Sequence, residues 1–487
     1  MDRPKDDQIA LARRLLLFVG LAFLLAQLLA FSLHRPPSWD EAIYLSQVAP
    51  GAEALPFVPS RARGITFLAA PVLQLGGSLV HLRLFLVVAS AAAMTAAFRS
   101  WAKVIGPGAV AAAVVFAGAW PALFYGSELM PNLWVALIGV AATAILARRL
   151  ATGEGRYDEL LAGGLVAVAA LLRPLDAVVL AAALILLPIA VRRATIAWTV
   201  HVVLGLAAGW APWLVEMIGR FGSPAEAFTA AARLGHTGRW ALLENVHQYL
   251  ALSDGPSIGP IAEPHIPVSG ILWLLGMTAL VVAGIRAAAG ARLLPSLVVP
   301  TATGAALAAE YIVFTDAQAP RFLLPALALL AIPAGLGFVW IADRARDQRP
   351  ARTGRWVAAA AASTLVVAWA FLQVGIASRL EAGVTQQRAS AQRAGSRVRA
   401  LAGPGPCHVY SEASFPIVGY AAGCLAAPIG NVVRAWPERA ARLERDGVRP
   451  FLVLHRAEQP AVPKGASPLA KIPSDGQSSS WFIYGTG

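Results

Sequence analysis

Asp40 and Glu41 stand side by side between Trp39 and Tyr44, in the stretch Arg35-Pro36-Pro37-Ser38-Trp39-Asp40-Glu41-Ala42-Ile43-Tyr44-Leu45. Paired carboxylates can take a proton from an attacking hydroxyl or hold a divalent ion such as Mg or Mn. Beside lipid, a carboxylate is costly unless it has a partner, a metal or a task. A second reading does not exclude the first. Ser38 or Asp40 caps a short interfacial helix over Glu41–Val48, with the acids at the positive end of its dipole.

Other chemistry-bearing groups also carry two readings. Glu128 is either a second site carboxylate or the end of a helix. Arg173 and Asp176 flank Pro174-Leu175, so a site role competes with a structural pair at a proline turn. Arg321 is either a headgroup anchor or a functional cation, and its place at an outer helix start, against the positive-inside rule, favours function. The loop histidines His236, His247 and His265 lack His-x-x-x-His spacing and read as solvated before they read as metal ligands.

These groups need elements to position them, and the composition says which kind. The 487 residues are 57% hydrophobic and 14% charged, with a mean hydropathy of +0.62, whereas soluble domains carry about 25% charged residues. The chain is therefore a polytopic membrane protein. Its net charge of +13 lies largely in short arginine-bearing loops between apolar segments, which is positive-inside topology. No basic patch interleaved with aromatics points to nucleic acid.

The first segment, Leu15–Leu33, follows Arg13 and Arg14, is long enough to span a bilayer, and lacks a clear cleavage site. It reads as an uncleaved anchor with a cytoplasmic N-terminus. Alternating apolar runs and arginine loops then predict about eleven spans. The outer loop His34–Ser78 carries Arg61, Arg63 and a short apolar piece, Ile65–Leu75, expected to be interfacial or re-entrant. Leu160–Leu172 and Ala177–Val191 are short for spans. A second outer loop, Glu216–Pro267, holds the histidines, and Glu310–Arg321 forms a third polar stretch. On this map the unusual polar groups lie on one side, and the span interiors are nearly free of charge.

Residues 1–376 thus form a transmembrane domain, and 377–487 a small extracytoplasmic α/β domain. In it, helices are expected over Arg379–Leu401, Phe415–Cys424 and Trp436–Asp446, and strands over Cys407–Ser411, Phe451–His455 and Trp481–Tyr484. Cys407 and Cys424 both fall in this outward part, where disulfides form. Their bond would be worth about 3 kcal/mol by chain entropy.

The sequence resembles the polytopic GT-C glycosyltransferases, particularly bacterial relatives of protein mannosyltransferases and aminoarabinose transferases. The resemblance rests on Trp39-Asp40-Glu41-Ala42-Ile43-Tyr44 after the first span, on Glu128 in the next outer loop, and on Arg321-Phe322-Leu323-Leu324-Pro325 opening a late span. Leu171-Leu172-Arg173-Pro174 is a supporting match, and the layout runs over roughly Leu11–Ile341. It implies a mainly α, GT-C-like bundle that uses a polyprenyl-phosphate sugar donor, with a glycan, lipid or protein as acceptor. Asp40 would be the general base, with Glu41 and Glu128 as further catalytic carboxylates and Asp40 and Glu41 as the ligands of any divalent ion. Arg61, Arg63 or Arg321 would neutralise the donor phosphate, with Tyr44, Arg173 and His247 in support. Inversion at the anomeric carbon is expected.

Two other classes compete. A transporter or flippase should place ionisable residues along a path through the midplane. A non-catalytic scaffold would keep the bundle and use the C-terminal domain as a binding module.

Overall fold

Long apolar runs with no water to satisfy their backbone must close their hydrogen bonds internally, so they form helices. The structure, a computed structural model, describes all residues except 1–5, 58–60, 154, 156, 194, 233–241, 254–264, 292, 316–317, 348–351, 413, 431, 475–478 and 487. His236 and Asp316 therefore lie outside the described residues.

In chain order the helices are α1 (Asp6–Ala30), α2 (Trp39–Ser46), α3 (Gly64–Gln74), α4 (Leu79–Ile105), α5 (Pro107–Ala117), α6 (Trp120–Gly126), α7 (Pro131–Thr152), α8 (Asp158–Leu172) and α9 (Pro174–Ala190). There follow α10 (Ile196–Phe221), α11 (Pro224–Ala232), α12 (Leu242–Ala251), α13 (Val268–Gly290), α14 (Leu294–Phe314), a 3-10 turn at Pro320–Leu323, α15 (Leu324–Asp347) and α16 (Arg352–Ala402). Proline sets several starts: Pro107, Pro131 and Pro174 occupy the first helical turn, where a missing N–H costs nothing. The interfacial helix predicted after Ser38 is α2, and the short apolar piece of the first loop is α3. The second outer loop is less irregular than expected, since α11 and α12 form within it.

Among the described residues, seven helices are long and apolar enough to cross a membrane, or eight if α5 and α6, bent by 73°, make one span. The chain is a mainly helical, multi-pass membrane protein with a small C-terminal sheet.

The chain packs as two units. The first comprises Met1–Phe31, Pro59–Gly64 and Phe85–Leu380; the second comprises Ser32–Val58, Ile65–Leu84 and Glu381–Gly487. The second unit thus draws α2 and most of α3 from the first loop. The boundary expected after residue 376 falls inside α16, which continues unbroken through the predicted helix Arg379–Leu401.

In the first unit, helices approach closely where glycine replaces a side chain. A Cβ on Gly205 of α10 would strike the Gly163 carbonyl of α8, and one on Gly209 would strike that of Ala167. Gly284 of α13 meets the Pro333 carbonyl of α15 in the same way. Small residues at four-residue spacing let membrane helices touch backbone to backbone. Around the α8–α10 contact, Leu146, Val166, Leu180, Trp198 and Val202 are buried in one cluster.

The second unit carries a five-stranded sheet of order β2-β1-β3-β5-β4. Its strands are β1 (Cys407–Ser411), β2 (Leu425–Pro428), β3 (Arg449–Arg456), β4 (Ser467–Pro473) and β5 (Ser480–Gly485), with helices α17 (Phe415–Ala422) and α18 (Trp436–Arg445) between β1, β2 and β3. β2 and β3 flank β1 and both run parallel to it, while β5 is antiparallel to β3 and to β4. Tyr410, Leu452, Leu454, Phe482 and Tyr484 pack under Trp436 and Ala440 of α18. Cys407 and Cys424 are joined across a separation of 17 residues, tying β1 to the end of α17.

Gly205→Leu is expected to lower stability by about 1–3 kcal/mol, as overpacking does, read as a fall in thermal midpoint in detergent. Replacing Cys407 and Cys424 with serine should cost about 3 kcal/mol in the second unit, and non-reducing mass spectrometry of the wild type should find no free thiol.

Candidate functional site

In the second unit, the acidic pair sits on the first turn of α2. The Ser38 hydroxyl accepts from the Glu41 N–H at 3.3 Å and the Ser38 N–H donates to Glu41 Oε2 at 2.8 Å, a reciprocal capping box. Glu41 is fully buried and takes both arms of Arg83, with Nη2 donating to Oε2 at 2.8 Å and Nη1 donating to Oε1. Arg388 of α16 stands 3.9 Å from the same carboxylate. Burial alone would raise the Glu41 pKa, but Arg83, with Arg388 and the Ser38 N–H, overrides it and holds the group at about 2.

Glu41 is thereby held in a structural ion pair and capping box at the start of α2. The donor set fits a divalent ion poorly: Glu41 spends both oxygens on Arg83, and no group of three or more His, Cys, Asp or Glu able to hold a metal occurs among the described residues. Asp40, 8% exposed, is the other acid of the pair. Its neighbours are fixed by packing: Trp39 meets Phe415 edge to face at 5.6 Å, and Tyr44 meets Phe57 at 6.1 Å. A further ion pair, Arg35 with Glu381, fixes the chain leading into α2, and the Ser32 N–H donates to Glu381 at 3.1 Å.

Phe415 opens α17 just after β1, so the carboxyl end of β1 adjoins α2. The sheet reverses its winding between β1 and β3, and ligands of open α/β sheets bind at the carboxyl ends of strands at such a switch point. There Ser411 is fully buried with its hydroxyl unbonded among the described residues, and Glu412 pairs with Arg456.

In the first unit a second constellation surrounds Arg173. Its Nε donates to Asp176 at 3.0 Å and its Nη2 donates to the Tyr311 hydroxyl, which in turn donates to Asp176. The Tyr311 and Phe322 rings stack at 5.2 Å, with the Arg173 guanidinium 5.5 Å from each and Arg321 4.9 Å over Phe322. Such cation–π contacts strengthen when desolvated, and Arg321 is only 7% exposed. Burial pushes the Tyr249 phenol up, against the opposing pull of Arg321 and Arg173. Glu310 Oε2 is buried without a hydrogen-bond partner among the described residues. Beside this cluster, Trp120, Tyr249, Trp273, Leu323, Leu327 and Trp369 line a narrow, mostly apolar groove of ≈110 Å³.

Other expected residues sit elsewhere. Arg63 pairs with Glu216 at 2.6 Å and Arg61 is half-buried. Glu128 is buried between α6 and α7. His247 and His265 are exposed, as solvated histidines should be; α12 instead turns Asn245 inward, its amide donating to the Ile312 and Thr315 carbonyls at 3.0 and 2.8 Å. Arg83, Glu310 and Tyr311 were not among the expected site residues, although Glu310 and Tyr311 open the third polar stretch and Arg83 stands in an apolar segment. A charge near the end of an apolar helix was the available signal.

No protein-family model and no curated protein matches the sequence. Solved structures do match in fold. ArnT from Cupriavidus metallidurans, bound to undecaprenyl phosphate, is 13% identical with a TM-score of 0.65, covering 96% of this chain and 97% of that one. The oligosaccharyltransferase AglB from Archaeoglobus fulgidus, in complex with an inhibitory peptide and a dolichol-phosphate, is 12% identical at 0.55, covering 90% and 69%. The arabinofuranosyltransferase AftD from Mycobacteria is 15% identical at 0.56, covering 98% of this chain and 40% of that one. The chain has the fold of the GT-C glycosyltransferases. Within that class the likeness to ArnT takes in nearly the whole of both chains.

Removing Arg83 strands a buried carboxylate, so Arg83→Ala should destabilise by about 3–5 kcal/mol, seen as a large drop in thermal midpoint. Because folding depresses the Glu41 pKa from about 4.5 to about 2, its stabilising contribution is complete above pH 4.5 and is lost as pH falls towards 2. Acid unfolding across that window should be less steep in Glu41→Gln than in wild type.

Proposed function

We propose that the chain is an integral-membrane glycosyltransferase that moves a sugar from a polyprenyl-phosphate donor to an acceptor hydroxyl at the outer face of the membrane. The observation that carries this reading is the cationic cluster of Arg173 and Arg321 set beside an apolar groove in the first unit. An anionic phosphate on an apolar chain matches both surfaces at once. Lipid phosphates bound to ArnT and AglB support the same chemistry.

Asp40 is the proposed general base. It takes the proton of the acceptor hydroxyl as that oxygen attacks the anomeric carbon; the bond from that carbon to the donor phosphate oxygen breaks, and its electron pair leaves on the phosphate. Arg321 neutralises the leaving group, with Arg61 and Arg63 as further candidates and Arg173 holding Tyr311 and Phe322 in place. Attack opposite to departure inverts the centre. Glu41 is a positioning residue, since it acts through the start of α2, and Glu128 remains a candidate second carboxylate. No step is routed through a metal.

The acceptor, a glycan, lipid or protein, is proposed to dock at the carboxyl ends of β1 and β3, where the Ser411 hydroxyl has no partner among the described residues and Phe415 joins Trp39. The proposed topology has eleven spans, counting α5–α6 as one and including α8, α9 and α16. It puts the N-terminus in the cytoplasm and the sheet outside. Positive-inside arginines support that orientation.

The test is sugar transfer by lipid-reconstituted protein offered a panel of polyprenyl-phosphate sugars. Wild type should consume one donor, Asp40→Asn should lose at least about a hundredfold in rate, and Arg321→Ala should weaken donor use while both variants stay folded. A folded, fully active Asp40→Asn would remove the base, and no consumption of any donor would reject the enzyme reading.

A further inference from the structure

Four helix ends meet at the end of the first unit remote from Arg173: the start of α1, the ends of α4 and α7, and the start of α8. α8 alone, 15 residues long, sets Asp158 and Arg173 roughly 22 Å apart. Between the four ends lies a cavity of ≈930 Å³, whose charged lining is Asp6, Arg13, Lys103, Arg148 and Asp158. This volume is in the range of small-ligand sites, about 300–1,000 Å³.

Arg148 is paired with Asp158, which leaves Arg13, Lys103 and Asp6 without an ion pair among the described residues. Two atoms stand out. Among the described residues, Arg13 Nε is a buried donor with no acceptor, and Asp158 Oδ2 is a buried acceptor with no donor. Burying such an atom unpaired is costly, yet the two do not satisfy one another. A simple anion would answer the first and face Asp6 and Asp158 with like charge; a simple cation would answer only the second. A ligand carrying a phosphate and an amine answers both. The wall is otherwise apolar, with Ile9, Val104, Ala151 and a half-exposed Leu161, and Leu11 and Leu160 are exposed nearby. An acyl chain beside the cavity would cover them.

We propose that this cavity binds a phosphoethanolamine headgroup, its phosphate towards Arg13 and Lys103 and its ammonium towards Asp158 and Asp6. The same chemistry exists on an aminophospholipid and as a free ester, and the apolar rim favours the lipid. The site lies apart from the transfer chemistry and does not depend on it.

Native mass spectrometry of the full-length protein in detergent, titrated with phosphatidylethanolamine and phosphatidylglycerol, reads it directly. Phosphatidylethanolamine should bind at least about tenfold tighter, a difference near 1.4 kcal/mol. The surface changes Lys103→Ala and Asp6→Asn should each reduce that preference severalfold without altering the thermal midpoint. Free O-phosphoethanolamine should displace the lipid only weakly; displacement at matching concentrations would keep the headgroup chemistry and assign the site to the soluble ester. Equal binding of the two lipids, or unchanged binding in both variants, would overturn the proposal.

Discussion

The second unit depends on one buried ion pair. Glu41 has no exposure at all, and a carboxylate in that position is tolerable only because Arg83 meets both of its oxygens and Ser38 closes the capping box behind it. Desolvation alone would favour the neutral acid; the guanidinium reverses the sign. Such a pair adds little net stability over a well-packed apolar equivalent, but it tolerates few alternative geometries. Its consequence is local order: the first turn of α2, and with it Asp40, is fixed to α4 and α16 rather than left as a loop.

The first unit reaches the same end with aromatic faces. Arg173 cannot leave Asp176 without abandoning the Tyr311 hydroxyl, and Tyr311 stacks on the ring that Arg321 also covers. Two cations are thereby held near one another at low exposure. Asp176 offsets the cost at Arg173, and a cation fixed at low exposure attracts an anion more strongly than one in water. The neighbouring tryptophan-lined groove extends it into a surface suited to an amphiphile.

Much of this was legible in the residues. Ser38 three places before Glu41 spells a capping box, Pro174 after Arg173 spells a helix start, and the strands around Val409, Val453 and Ile483 follow from apolar runs bounded by turns. Two strands, β2 and β4, were not legible, because Leu425–Pro428 is only four residues and Ser467–Pro473 carries two prolines and a lysine. Both lie where a sheet tolerates them, β2 and β4 being its two edges. His247 and Asn245 are two residues apart on one helix, and nothing local says which of them turns inward.

The sequence by itself determined what depends on sums over neighbours: a multi-pass membrane chain, the starts of most helices, a small C-terminal α/β part, and the only two cysteines able to pair. Tertiary structure decided which charges meet. Arg83 finds Glu41 across 42 residues and Tyr311 finds Asp176 across 135, and such partnerships leave no periodic trace in the chain. Hydropathy is additive along a segment, whereas the role of a buried charge is set by the one opposite group within a few ångströms of it.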